Sequence, residues 1–314
     1  MERIVVLDGY ALNPGDLDWS IIAQNEGTRF AELLIFDRTP ERLVIERARN
    51  ASIIVVNKIE VTAEVIRQLP KLKMIAITAT GTNNIDLVAA KNCGVLVKNV
   101  VGYSTNAVAQ HVFALLLALT NKVYEHSQSV NQLEWAKSLD FCYFLEPWRE
   151  LSGKTMGIYG LGNIGAKVTD IALAFGMNVL AYNRSNNPHD RNVKMVSPDV
   201  LLKESDILSL HAPLTAQTKH FINARTLSQM KPSAYLINTA RGPLIQEEDL
   251  AQALKIQVIK GAGLDVLSKE PPPQNHPLVG LKNCLITPHM AWTSLEARRT
   301  LLEKTAENIR VALG

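Results

Sequence analysis

The segment "KTMGIYGLGNIGAKVTDIALAFGMNVLAY", Lys154 to Tyr182, constrains the fold of this 314-residue chain more than any other. A short apolar run leads into Gly160-x-Gly162-x-x-Gly165, a helix-capable stretch runs to about Phe175, and a second apolar run ends at Tyr182. Gly160 permits a tight turn, Gly162 lets backbone N–H groups approach a pyrophosphate, and Gly165 lets helix and strand pack closely. Alone, the three glycines are a weak signal. Set between a strand and a helix, with the next strand ending on schedule, they point to a dinucleotide site that includes Asn163 and Ile164.

The rest of the chain fits the same architecture. From residue 1 to about 100, the runs "IVVL", "ELLIF", "SIIVV", "KMIAI" and "GVLVK" alternate with helix-capable stretches such as Thr62 to Gln68 and Asn84 to Asn92. A second series follows in "KTMGIYG", "NVLAY", "DILSLH", "AYLINTA", "VIKGAGLDV" and "NCLIT". Such alternation predicts parallel sheets covered on both faces. The expected fold is α/β with two doubly wound parallel-sheet domains in tandem, the second a Rossmann nucleotide-binding domain over residues 101–290. Helices over Ser104 to Asn121 and Ser294 to Leu313 are expected to join the domains, the C-terminal one packing back on the first.

Composition narrows the function. Apolar residues at 47% and charged residues at 20% describe a globular chain. A net charge of +3 spread along the sequence leaves no footprint for nucleic acid, and the apolar run Ala107 to Leu119 is too short to span a bilayer. Cys93, Cys142 and Cys284 show no metal or disulfide spacing, and all three are expected to be structural. With no signal-like segment ahead of "RIVVLDG", the expected location is the cytoplasm, the partner a small molecule, and no metal is called for.

At the end of the second strand of the dinucleotide unit, where a carboxylate would bind the adenosine ribose of NAD, the chain reads Asn183-Arg184-Ser185. Asn carries no charge to repel a 2′-phosphate, Arg offers a fork of donors and Ser a hydroxyl. The pocket is therefore expected to prefer NADP. An NAD site in which Asn183 serves the ribose and Arg184 is merely solvated stays open.

Arg241 in "LINTARGPLIQEEDL", Asp265 and Glu270 in "GLDVLSKEPPP", and His289 in "LITPHMAWTS" each follow a predicted strand, where open α/β sheets place ligands. With "GLGNIG" and "HAPLTAQT", these segments make the chain resemble the D-isomer-specific 2-hydroxyacid dehydrogenase family over almost its whole length. "VVLDGYALNPGDL" is similar to its glycerate dehydrogenase, or hydroxypyruvate reductase, branch. The resemblance implies a catalytic set of Arg241, Glu270 and His289, a discontinuous, flavodoxin-like substrate domain made of residues 1–100 and 291–314, and a homodimer built around the nucleotide domains. It adds His211, Ala212, Pro213, Thr218, Thr239, Ala240 and Asp265 to the cofactor site, with "HAPL" along the nicotinamide ribose and Asp265 at the carboxamide. Backbone N–H groups at Thr80 and Gly81, in "TATGTNNID", would hold the substrate carboxylate, and Trp292 and Trp135 would wall the pocket. His111 is expected to be structural.

Chemistry agrees with these roles. Reducing a 2-oxo acid needs a hydride donor, a cation for the carboxylate and a proton for the new hydroxyl. Arg241 supplies the cation, His289 the proton, and Glu270 orients the imidazole and favours its charged form. The expected reaction is hydroxypyruvate to D-glycerate. Glyoxylate, pyruvate or a longer 2-oxo acid are alternative substrates, and formate is disfavoured because that branch carries Gln where Glu270 stands. A non-catalytic NAD(H)-sensing protein is the alternative from another class.

Overall fold

The computed structural model describes residues 2–25, 28, 29, 31–184 and 193–313. The chain divides into two compact units, Met1–Ser104 with Thr293–Gly314, and Thr105–Trp292. The boundaries expected after residues 100 and 290 lie a few residues short of these.

The first unit contains β1 (Glu2–Val6), β2 (Gln24–Asn25), β3 (Thr28–Arg29), β4 (Ala31–Ile35), β5 (Ile53–Val56), β6 (Met74–Ile77) and β7 (Leu96–Lys98). β2 and β3 form a small antiparallel pair. The other five make one parallel sheet in the order β4-β1-β5-β6-β7. Leaving the pair aside, that is the 2-1-3-4-5 order of flavodoxin-like sheets. "IIVV" of β5 and "MIAI" of β6 are buried at every position, as central strands covered on both faces must be. The helix Leu295–Leu313 packs on the 3-10 helix Trp19–Ile22 and on β6. There the buried Arg298 donates to both oxygens of Asp16, at 2.6 Å each, and to the Leu12 carbonyl at 3.1 Å. A buried guanidinium is tolerable only when paired in this way.

The second unit contains β8 (Thr155–Tyr159), β9 (Asn178–Tyr182), β10 (Lys194–Met195), β11 (Ile207–Leu210), β12 (Tyr235–Asn238), β13 (Gly261–Leu264) and β14 (Cys284–Ile286). All are parallel, in the order β10-β9-β8-β11-β12-β13-β14. The order reverses between β8 and β11, which makes their carboxyl ends the switch point of a Rossmann sheet. Alternation along the strands builds two cores. Met156, Ile158, Ala181 and Ile237 face the helices Thr105–Asn121 and Asn163–Ala174 through Val112, Leu116, Val168 and Ala172. Leu180, Leu208, Leu210 and Leu236 face Leu201, Leu250 and Leu254 on the other side. Each Val, Leu, Ile or Met among these contributes about 1.5–3 kcal/mol by leaving water.

Helix Thr105–Asn121 opens the second unit where the chain leaves the first, and packs on Asn163–Ala174, β12 and β13, its apolar residues covering that sheet face. One expectation is corrected. Of the cysteines, only Cys284 is buried, and burial pushes its thiol up to about 12. Cys93 and Cys142 are exposed and contribute nothing to a core.

Candidate active site

The glycine turn after β8 is shaped by close approaches. Gly160 has φ +104°, and a Cβ on it would stand 2.6 Å from the Ala212 nitrogen and 2.8 Å from the His211 carbonyl carbon. The turn therefore needs glycine both for its conformation and because the segment after β11 crosses against it at the switch point. A Cβ on Gly165 would run into the Gly160 carbonyl oxygen and reach Ile158 at 3.0 Å. At Gly162, the N-cap of helix Asn163–Ala174, a Cβ would meet nothing within 4 Å. The helix thus begins with Gly162 and Asn163 exposed and Ile164 half-buried, at an end where first-turn amides lack intrahelical partners and the helix dipole favours an anion.

Gly160 N donates to the Tyr182 carbonyl at 2.9 Å, which sets the end of β9 beside the turn. Asn183 follows half-buried and Arg184 exposed; Ser185 lies outside the described residues. His211 Nε2 is 2.9 Å from Ser209 Oγ, and burial pushes its imidazole down to about 3, so the ring is neutral. Ala212 is buried and Pro213 exposed. The Thr218 hydroxyl shapes this turn, donating to the Pro213 carbonyl at 2.7 Å and accepting from Thr215 N at 2.8 Å. Past the end of β12, the buried Thr239 hydroxyl has no hydrogen-bond partner among the described residues, the state of a group that a ligand completes. An open helix N-terminus, a neutral crossing segment and an orphan hydroxyl fit a dinucleotide.

The charged residues stand beyond β12, β13 and β14. Asn238, buried at the end of β12, donates from Nδ2 to the Arg241 carbonyl at 2.9 Å and accepts from Ala240 N at 3.0 Å. It thereby fixes the backbone that carries Arg241, whose half-buried guanidinium donates to the Ala240 carbonyl at 2.6 Å. A Cβ on Gly242 would run into Leu267 and Ser268 backbone, so the Arg241 and Glu270 connections touch main chain to main chain. Glu270 accepts from Leu267 N at 2.9 Å through Oε1, and its Oε2 lies 2.6 Å from His289 Nδ1. An ionised carboxylate only accepts, so Nδ1 carries the hydrogen and Nε2 is left for other work.

His289 itself is left-handed, with φ +52°, a conformation costing a non-glycine residue about 1–2 kcal/mol. Asp265 supplies the restraint. Its carbonyl accepts from His289 N at 2.9 Å, and its buried carboxylate accepts from Met290 N at 2.8 Å, Ala291 N at 2.9 Å and Thr287 Oγ1 at 2.6 Å. Because the Thr287 hydroxyl donates to Asp265, it accepts from His111 Nε2, 2.9 Å away. His111 thus reaches the loop of His289 from the helix Thr105–Asn121. Sequence reasoning passed over Asn238 and Thr287; the available signal was a polar residue closing an apolar run in "AYLIN" and a hydroxyl two places before the histidine.

Trp292 is half-buried beyond this loop, while Trp135 is 52% exposed and donates to the Phe141 carbonyl at 3.0 Å. In the first unit, Thr80 and Gly81 follow β6. The Thr80 hydroxyl donates to the Val100 carbonyl at 3.0 Å, and Asn99 Nδ2 donates to the Thr80 carbonyl at 2.6 Å. Among the described residues no three His, Cys, Asp or Glu side chains gather as a metal site, and no single helix is long and apolar enough to cross a membrane.

The model of the D-isomer specific 2-hydroxyacid dehydrogenase NAD-binding domain matches residues 113–291. The chain is 40% identical over 312 residues to a hydroxypyruvate reductase of Blautia hydrogenotrophica, covering 98% of this chain and 95% of that one. Its structure is similar to that of an acyclic imino acid reductase in complex with NADPH and D-arginine, with TM-score 0.85 and 36% identity over 99% of this chain and 97% of the other. A D-lactate dehydrogenase from Aquifex aeolicus, complexed with NAD and lactic acid, gives TM-score 0.84 and 30% identity over 99% and 95%. With that glycine cradle and that acid-histidine pair on one Rossmann sheet, the chain belongs to the D-isomer-specific 2-hydroxyacid dehydrogenase family, oxidoreductases that act on the CH–OH group with a nicotinamide cofactor.

Proposed function

We propose that this dehydrogenase reduces hydroxypyruvate to D-glycerate, using NADPH in preference to NADH. The observation that carries the reading is the Glu270–His289 contact at 2.6 Å, set beside the Arg241 connection. When bound, the reduced nicotinamide supplies the hydride. The chain's own residues do the rest. Arg241 binds the substrate carboxylate and carbonyl oxygen with its planar fork. His289 gives the proton at Nε2 to the oxygen that becomes hydroxyl, while Glu270 holds Nδ1–H and stabilises the imidazolium. Trp292 limits side-chain size. The first-turn amides at Gly162 to Gly165 take the pyrophosphate, His211 to Pro213 line the ribose, and the Thr239 hydroxyl completes the cofactor contacts with Ala240 and Asp265.

The preference for NADPH rests on Asn183 and the exposed Arg184, which replace a carboxylate at the end of β9. Oxidation of NADPH and of NADH, followed by absorbance with hydroxypyruvate, glyoxylate and pyruvate, tests the whole reading. Fastest turnover on hydroxypyruvate with NADPH supports it. An NADH preference assigns Asn183 to the ribose, and nucleotide binding without any turnover moves the chain to the sensing class.

The segment Val123 to Trp148 presents Tyr124, Leu133, Leu139, Phe141, Phe144 and Trp148, each more than half exposed. So large an apolar surface marks an interaction face, and the occupant we assign is a second copy, in a homodimer. Light scattering of the wild type and of Phe141→Glu tests it, the variant being expected to run as a monomer. The unpaired, exposed thiols of Cys93 and Cys142 fit a reducing cytoplasm.

A further inference from the structure

We infer that Glu247, backed by His276, is a positioning residue that locks the connection bearing Glu270 to the connection bearing Arg241. The inference rests on the reading of Arg241, Glu270 and His289 as the reacting set. Glu247 opens the helix Glu247–Lys255, on the same connection as Arg241. Its neighbours are engaged elsewhere, Glu248 accepting from Gln246 on the same connection and Asp249 from Ala224 N on the connection between β11 and β12. Glu247 reaches the connection that bears Glu270. Oε1 accepts from Ser268 N at 2.7 Å, two residues before Glu270, and Oε2 lies 3.3 Å from His276 Nε2.

Burial makes the His276 side of this contact demanding, while Ser268 itself is exposed. The Glu247 side chain is 12% exposed and that of His276 4%. His276 Nδ1 accepts from Leu278 N at 3.3 Å, so the ring hydrogen sits on Nε2 and points to Glu247. Glu247 therefore faces two donors and must be acceptor at both oxygens, which only a carboxylate achieves. A glutamine, in either orientation, sets its NH2 against one of them. At their far end the two connections are also tied by Asn283 Nδ2, which donates to the Leu254 carbonyl at 3.0 Å, while beside Ser268 they meet through the close packing of Gly242 on Leu267 and Ser268 backbone. Without the carboxylate, the Ser268 amide loses its acceptor and the Leu267–Glu270 turn is free to shift. Glu270 then no longer meets His289 squarely.

The test uses Glu247→Gln in the full chain with nucleotide bound. Turnover of hydroxypyruvate is expected to fall about tenfold to a hundredfold, the cost of misplacing a reacting group by roughly an ångström, while KM for the nucleotide stays put. In parallel, NMR of the histidine rings reads the Nδ1–H resonance of His289, whose ring touches Glu270 and whose loop is held by Asp265 and His111; that resonance is expected to lose its strong-hydrogen-bond shift. Unchanged turnover with an unchanged resonance overturns the inference, as does a fall in stability alone. If the wild type reduces no 2-oxo acid but the resonance still moves in the variant, the clamp stands and the catalytic reading fails. Should Glu247→Gln not fold, His276→Asn, which withdraws the donor behind Glu247, is read in the same two assays with the same criteria.

Discussion

On either side of the switch point, the carboxyl edge of one sheet works by opposite means. Beside β8 and β9 the positions that matter are defined by missing side chains: Gly160 and Gly165 are places where any Cβ meets backbone. Beside β12 to β14 they are defined by charged side chains, with both oxygens of Glu270 and Asp265 engaged. Gly160 and Gly165 cannot accept added atoms, and the second region cannot lose charge. Fold and chemistry should therefore come apart under substitution.

Gly160→Ala gives the largest effect. It drives a methyl into the Ala212 backbone at a φ that L-residues avoid, and a loss of about 3–5 kcal/mol is expected, the range of severe single substitutions. Denaturant unfolding and nucleotide titration should both show it. Gly162→Ala sharpens the contrast, since the space there is open: unfolding should be unchanged or slightly stabilised while nucleotide affinity falls. His289→Asn comes next, lowering kcat by about a hundred- to ten-thousand-fold with nucleotide affinity nearly intact; equal loss of both would erase the distinction between the two regions. Arg184→Ala is expected to remove the preference for NADPH, worth about tenfold, the scale of one charge-assisted hydrogen bond.

The smallest effect lies at the opposite edge of the sheet. Desolvation raises the Asp206 carboxyl, but hydrogen bonds from Lys231 and Thr155 N outweigh it and hold the group below its ordinary value. A carboxyl depressed in the folded state stabilises above its unfolded pKa and loses that contribution as pH falls through the folded value. Thermal unfolding of Asp206→Asn should thus differ from wild type near neutrality and converge with it below about pH 4.

The two regions were also unequally legible in the sequence. The glycine cradle is a steric pattern confined to six residues, so spacing alone announces it, and the reversal of strand order follows from alternating elements. Arg241, Glu270 and His289 were visible only through their joint placement after strands and the family resemblance. What holds them was not visible. His111 meets Thr287 across 176 residues, and Glu247 meets Ser268 across 21; neither local periodicity nor charge pattern encodes such pairings. Thr218 read as a cofactor contact, yet its hydroxyl is spent on its own turn. The two exposed cysteines show the same gap, since a thiol's burial depends on tertiary packing rather than on its neighbours in the chain.

Asp265 grips the loop after β14 by the main-chain amides of Met290 and Ala291, not their side chains, and Met290 is 44% exposed. Any amino acid except proline offers the same amide. The grip of Asp265 on position 290 is thus set by main chain rather than by the identity of the side chain there.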